Sequence, residues 1–109
     1  MIYELRVYWA NPGKLEALHN RFRQVTLALF ARHNMQVNAF WTPFPTTEDS
    51  GDLVYILAFP DEDAVRTSWD AFVNDPDWIK GRDASEVNGK LVKKITSTLL
   101  APTDYSPLK

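Results

Sequence analysis

Between Ile2 and Trp9, Tyr3, Leu5 and Val7 alternate with Glu4, Arg6 and Tyr8. That period of two predicts a strand with two unlike faces. Asn11 and Pro12 then read as an N-cap and first helical residue, where the missing proline N–H is harmless. Leu15, Leu18, Phe22, Val25 and Leu29 follow at spacings of three and four. They form the stripe of a long amphipathic helix, with Asn34 placed to end it in the left-handed conformation. Residues 36–43, QVNAFWTP, and 52–59, DLVYILAF, predict two more strands joined by the turn-rich TTEDSG. Asp61 is positioned to cap a second helix with Val65, Trp69 and Phe72 on one face. In WDAFVNDPDWIKGRD, residues 69–83, Asp75 and Pro76 interrupt that helix and restart it as a new cap and first residue. Asn88 and Gly89 close it, and residues 90–100, KLVKKITSTLL, predict a fourth strand.

The resulting order, βαββαβ, describes an α+β ferredoxin-like domain over residues 1–109, with an antiparallel sheet covered by both helices on one face. The other face poses a problem. In the third strand Leu53, Tyr55, Leu57 and Phe59 alternate with Val54, Ile56 and Ala58, so neither set suits water. A second copy packed on that face would form a dimeric α/β barrel, a homodimer. Alternation alone does not say which set meets the partner. On the first strand Tyr3 is expected to point toward the helices. Glu4 and Arg6 are then expected on the opposite face, as an ion pair at the dimer interface or a polar spot inside the barrel.

Composition narrows the chemistry. The 109 residues contain no cysteine, so neither disulfides nor thiolate chemistry enter, and a reducing compartment is allowed. Lys and Arg number 12 against 14 Asp and Glu, without a long run of either sign. Lys90, Lys93 and Lys94 read as solvated strand positions, and no nucleic-acid partner is expected. The strand pattern starting at residue 2 leaves no room for a signal segment, and no apolar run reaches the ~20 residues of a membrane span, so a cytoplasmic protein is expected. There is no Gly-rich phosphate loop, G-x-S-x-G or H-E-x-x-H motif. His19 and His33 are 14 residues apart, about 21 Å along a helix, too far to share a metal ion. His33, in the last helical turn, reads as a structural residue able to bond a free carbonyl. No metal site is expected.

Five stretches together carry a resemblance: IYELRVY at the start, Phe30 to Met35 (FARHNM), LVYILAF at 53–59, WDAFVNDPDW at 69–78 and STLLAPTDYSPL at 97–108. In that order they resemble a single NIPSNAP domain along essentially the whole chain. The resemblance implies the ferredoxin-like dimeric α/β barrel and leaves the biochemical activity undefined. Eukaryotic relatives are longer and mitochondrial, whereas no transit segment is expected here. Haem-degrading proteins of the wider barrel class hold iron through a histidine on the second helix. This second helix has none, so neither haem nor another cofactor is expected.

Trp69 falls on an apolar stripe and reads first as core. Trp78 has few apolar companions among Asp77, Lys80, Arg82 and Asp83, so its ring is expected over the sheet edge, a partner or a cleft. Dimeric α/β barrels bind small molecules between helices and sheet. By that resemblance the ligand-binding candidates are Tyr3, Trp69 and Trp78, with Arg82 as an anion contact. The expected function is a dimeric domain binding a small apolar or aromatic ligand, of undefined activity. The alternative is a cofactor-independent oxygenase or isomerase acting on an aromatic or polyketide-like substrate.

Overall fold

The chain runs β1 (Ile2–Ala10), α1 (Leu15–Arg21, continuing through Phe22–Thr26 and Leu27–Arg32), β2 (Gln36–Trp41), β3 (Leu53–Phe59), α2 (Glu62–Val73), α3 (Pro76–Ser85) and β4 (Val92–Leu100) in the computed structural model, which describes residues 1–109. The strands form one antiparallel sheet in the order β2-β3-β1-β4, the arrangement of a ferredoxin-like α+β fold. No helix is long and apolar enough to cross a membrane.

Side chains beneath the helices come from one alternating set on each strand. β3 contributes Leu53, Tyr55, Leu57 and Phe59, all buried. Its neighbour β1 is registered so that Arg6 lies opposite Tyr55 and Glu4 opposite Leu57. Glu4, Arg6 and Tyr8 therefore point to the helical side, and Tyr3, Leu5 and Val7 to the other. This reverses the expected orientation of β1. The apolar set was the natural choice for the core, but Trp69, Tyr55 and Ser97 bond the polar set, which removes most of its burial penalty. Tyr3 is buried on the far face, in a shallow depression that it lines with Ile56, with Leu100 at the end of β4 and with Pro102 and Leu108 of the C-terminal tail.

Local chemistry explains most element ends. Asn34 adopts φ 59°, and the N–H groups of Asn34 and Met35 donate to the carbonyls of Ala31 and Phe30, closing α1 in a Schellman pattern. Asp61 accepts from the Ala64 N–H and Asp75 from the Asp77 N–H, each as an N-cap, with Pro76 at the start of α3. The start of α1 differs from expectation. Pro12 and Gly13, at φ 75°, occupy the centre of a type II turn closed by Lys14 N–H to the Asn11 carbonyl, so α1 begins only at Leu15.

One irregularity inside α1 shapes the interior. Residues Phe22–Thr26 form a π-helical turn, in which Leu27 N–H donates to the Phe22 carbonyl. The extra residue moves Val25 off the expected stripe and turns Thr26 inward, where its hydroxyl donates to the Arg21 carbonyl at 3.4 Å. Val25 instead meets α3 at Gly81, where a Cβ would come within 2.7 Å of its Cγ1. Only a glycine lets the two helices approach this closely.

Candidate functional site

Between the sheet and the three helices lies a cavity of about 380 Å³. β1 supplies Arg6 and Tyr8, and β4 supplies Ile95. The π turn and its flanks supply Arg21, Phe22, Thr26 and Phe30, while α2 and α3 supply Trp69, Phe72, Val73 and Trp78. Its volume falls in the usual range for small-molecule sites, roughly 300–1,000 Å³. A depression of the same volume lies between α1 and the β2 edge, lined by His19, Leu27 and Trp41 among others, but it is more open and contains no buried charge.

The cavity floor is a closed polar network. Glu4, 3% exposed, accepts from Trp69 Nε1 at 2.7 Å through Oε1, and from Ser97 Oγ at 2.6 Å and Arg6 Nη1 at 3.1 Å through Oε2. Arg6 also donates from Nε to Tyr55 and from Nη2 to Tyr8, and its guanidinium lies 4.2 Å from the Trp69 ring centre. The Tyr8 and Tyr55 hydroxyls are 2.9 Å apart. Burial pushes the Tyr55 hydroxyl well above its ordinary range, so it is neutral at physiological pH. With both carboxylate oxygens engaged, Glu4 is a structural counterion rather than a free base.

Arg21 is arranged differently. It is buried, and its Nη1 donates to Ser85 Oγ at 3.2 Å and Glu86 Oε2 at 3.4 Å, but its Nε has no partner. Its guanidinium sits 5.1 Å from the Trp78 ring centre. Burial lowers its pKa from the ordinary arginine value, although an arginine remains charged near neutrality.

Of the candidates read from the sequence, Trp69 and Trp78 both line this cavity. Trp69 also packs edge-on against Phe30 and Phe72, with centroids at 5.7 and 5.3 Å, and Trp78 tilts over Phe72 at 4.8 Å. Both rings are half-buried, each part core and part cavity wall. Tyr3 lies across the sheet and cannot reach the site. Arg82 is outside as well, paired with Asp83 at 3.1 Å in a polar groove with Lys90 and Lys93. Tyr8 and Arg21 went unrecognised as site residues. Arg21 gave a faint signal, being a charged residue next to the apolar stripe at Phe22.

The α3 restart is pinned from below. His33 Nε2 lies 2.7 Å from Asp75 Oδ2, which also accepts from Arg32 at 3.0 Å. The partner of His33 is thus a carboxylate on another helix, not a carbonyl of its own. The bond to His33, followed by the Asp77 N–H and Arg32, holds the Asp75 carboxyl at about 2, below its ordinary 3.8. Because the folded value is depressed, the Asp75 contribution to stability is complete above 3.8 and is lost as pH falls through about 2. Asp75→Asn keeps a competent N-cap and removes the charge. Its unfolding free energy is expected to fall less steeply than that of wild type across this window in urea titrations. Equal slopes would show that other carboxylates carry the acid sensitivity.

With this geometry in view, comparison with known proteins decides the family. The NIPSNAP family model matches residues 3–107. The chain belongs to the NIPSNAP family. Solved structures similar to this NIPSNAP chain include an uncharacterized NIPSNAP domain protein from Burkholderia xenovorans, with a TM-score of 0.81 and 20% identity over 98% of this chain and 99% of that one. A NIPSNAP family protein from Agrobacterium tumefaciens gives a TM-score of 0.82 and 20% identity over 99% and 98% of the two chains. Another from the same organism, described as of unknown function, gives 0.81 and 19% over 100% and 94%. At such identities the likeness concerns the fold. No protein of curated function matches the chain in sequence. NIPSNAP membership thus brings no defined activity, and the chemistry rests on the cavity.

Proposed function

We propose that this NIPSNAP chain is a small-molecule-binding domain working as a homodimer, with an apolar or aromatic ligand held between the helices and the sheet. The observation that carries this reading is the cavity itself, walled by Trp69, Trp78 and the phenylalanines Phe22, Phe30 and Phe72 and bordered by the buried Arg21 and the half-buried Arg6. Val73 and Ile95, 47% and 43% exposed, leave it an apolar mouth. No carboxylate or imidazole lines it, so the alternative of an oxygenase or isomerase lacks a general base within the wall. The four tryptophans supply an internal control, since neither Trp9 nor Trp41 lines this cavity. On titration with the neutral probe 2-naphthamide, the indole N–H resonances of Trp69 and Trp78 are expected to shift saturably while those of Trp9 and Trp41 stay. Uniform shifts, or none, would remove the cavity as a binding site.

The dimer is supported by the face opposite the helices. Val54 and Ile56 are only half-buried there, and Trp41 is 50% exposed at its border. That Leu53, Tyr55, Leu57 and Phe59 belong to the core supports Val54 and Ile56 as the set that would meet a partner. Light scattering at micromolar concentration is expected to give twice the chain mass. Ile56→Asp is expected to give a folded monomer, since a charge in an apolar interface costs several kcal/mol, on the order of the burial penalty for an unpaired ion. A wild-type monomer, or an Ile56→Asp dimer, would contradict the assembly.

A further inference from the structure

The hydrogen-bond inventory of the cavity is unbalanced toward donors. Arg6 has Nε, Nη1 and Nη2 each engaged. Arg21 bonds protein acceptors only through Nη1; its Nε is buried without a partner, and Nη2 donates to no protein atom. The Nε–Nη2 edge is the planar two-donor fork that matches the two oxygens of a carboxylate. The tyrosine pair adds another donor. Its two hydroxyls share one hydrogen bond, and Arg6 donates to both oxygens. One phenolic proton makes the bond between them and the other is left over; because Tyr55 is fully buried and Tyr8 lines the cavity, we assign the left-over proton to Tyr8. Tyr8 lines the cavity, as does Arg21. Against these donors the wall side chains offer one free acceptor, the Thr26 hydroxyl oxygen, whose proton goes to the Arg21 carbonyl; the Glu4 carboxylate lies behind the wall with both oxygens engaged.

We propose that the ligand is a small aromatic carboxylate, its planar anion held by the Nε–Nη2 edge of Arg21 with the Tyr8 hydroxyl as a further donor, and its ring against Trp69 and Trp78. This rests on the binding role assigned to the cavity. An orphaned Nε on a buried guanidinium is costly in the empty protein, and a carboxylate, which can accept from Nε and Nη2 together, removes that cost more fully than the single carbonyl oxygen of a neutral amide. The guanidinium lies over the Trp78 ring, 5.1 Å from its centre, which puts the anion contact beside an aromatic wall, and such walls favour a flat apolar body over a flexible chain.

The test compares 2-naphthoate with 2-naphthamide on the full chain, by calorimetry and by the indole and arginine Nε–H resonances. Naphthoate is expected to bind about tenfold more tightly or better, and to move the Arg21 Nε–H resonance in wild type. Arg21→Lys keeps the charge but removes the fork, and is expected to abolish most of that preference. Equal binding of the two probes, with Trp69 and Trp78 responding, would overturn the carboxylate inference and leave the cavity reading intact. Silence of both tryptophans with both probes would overturn the two together. Preference for naphthoate without movement of the Arg21 resonance would place the anion elsewhere and also refute the assignment. The wild-type resonance decides the matter even if Arg21→Lys does not fold.

Discussion

Glu4→Gln is expected to lower the unfolding free energy by about 3–5 kcal/mol, the range for removing one partner of a buried ion pair. The carboxylate accepts three hydrogen bonds at 3% exposure, and Arg6, its counterion, is 14% exposed. A glutamine amide keeps one acceptor for Trp69 but turns an NH₂ group toward the Arg6 guanidinium and the Ser97 hydroxyl. Arg6 would remain charged with only tyrosine oxygens around it. Urea unfolding at neutral pH measures the loss. The double variant Glu4→Gln/Arg6→Met is expected to be less destabilised than the sum of the single changes, because the stranded cation is gone. A loss of under about 1 kcal/mol in Glu4→Gln, as for an exposed pair, would mean that water compensates the site more than its burial suggests.

Trp69→Ala is expected to cost about 3–5 kcal/mol, as for other tryptophan truncations in packed surroundings. It removes edge-on contacts with Phe30 and Phe72, the face on which Arg6 rests, and the donor to Glu4 Oε1. Trp69→Phe separates these contributions. It keeps much of the ring and leaves one buried carboxylate oxygen short of a donor, a penalty of roughly 1–3 kcal/mol. Trp78→Ala is expected to cost less than Trp69→Ala, roughly 1–3 kcal/mol. Its ring tilts over Phe72 and lies under Arg21, but no hydrogen bond ties its indole to the interior. Thermal unfolding of the three variants orders them. Equal losses for Trp69→Ala and Trp78→Ala would make both rings wholly structural and weaken the case for Trp78 as a cavity wall.

Features governed by near neighbours in the chain were legible from the sequence by itself. Period-two alternation marked β1 and β3, and the Asp61 cap, the Asp75–Pro76 restart and the left-handed Asn34 each reflect interactions spanning only a few residues. Pro12–Gly13 obeyed equally local rules, yet an N-cap and a turn centre compete for the same residues there, and the positive φ required of Gly13 settled the contest. The direction of β1 was decided only by tertiary structure. One alternating set is apolar and the other carries Glu4 and Arg6, so hydropathy favours burying the first. The partners that make burial of the second tolerable are Tyr55, Trp69 and Ser97, lying 49, 65 and 93 residues away from the side chains they bond. The same distance effect hid Arg21. Its place in the wall depends on a π turn matched to Gly81 of another helix, and its unpaired Nε is visible only once every neighbour has been placed.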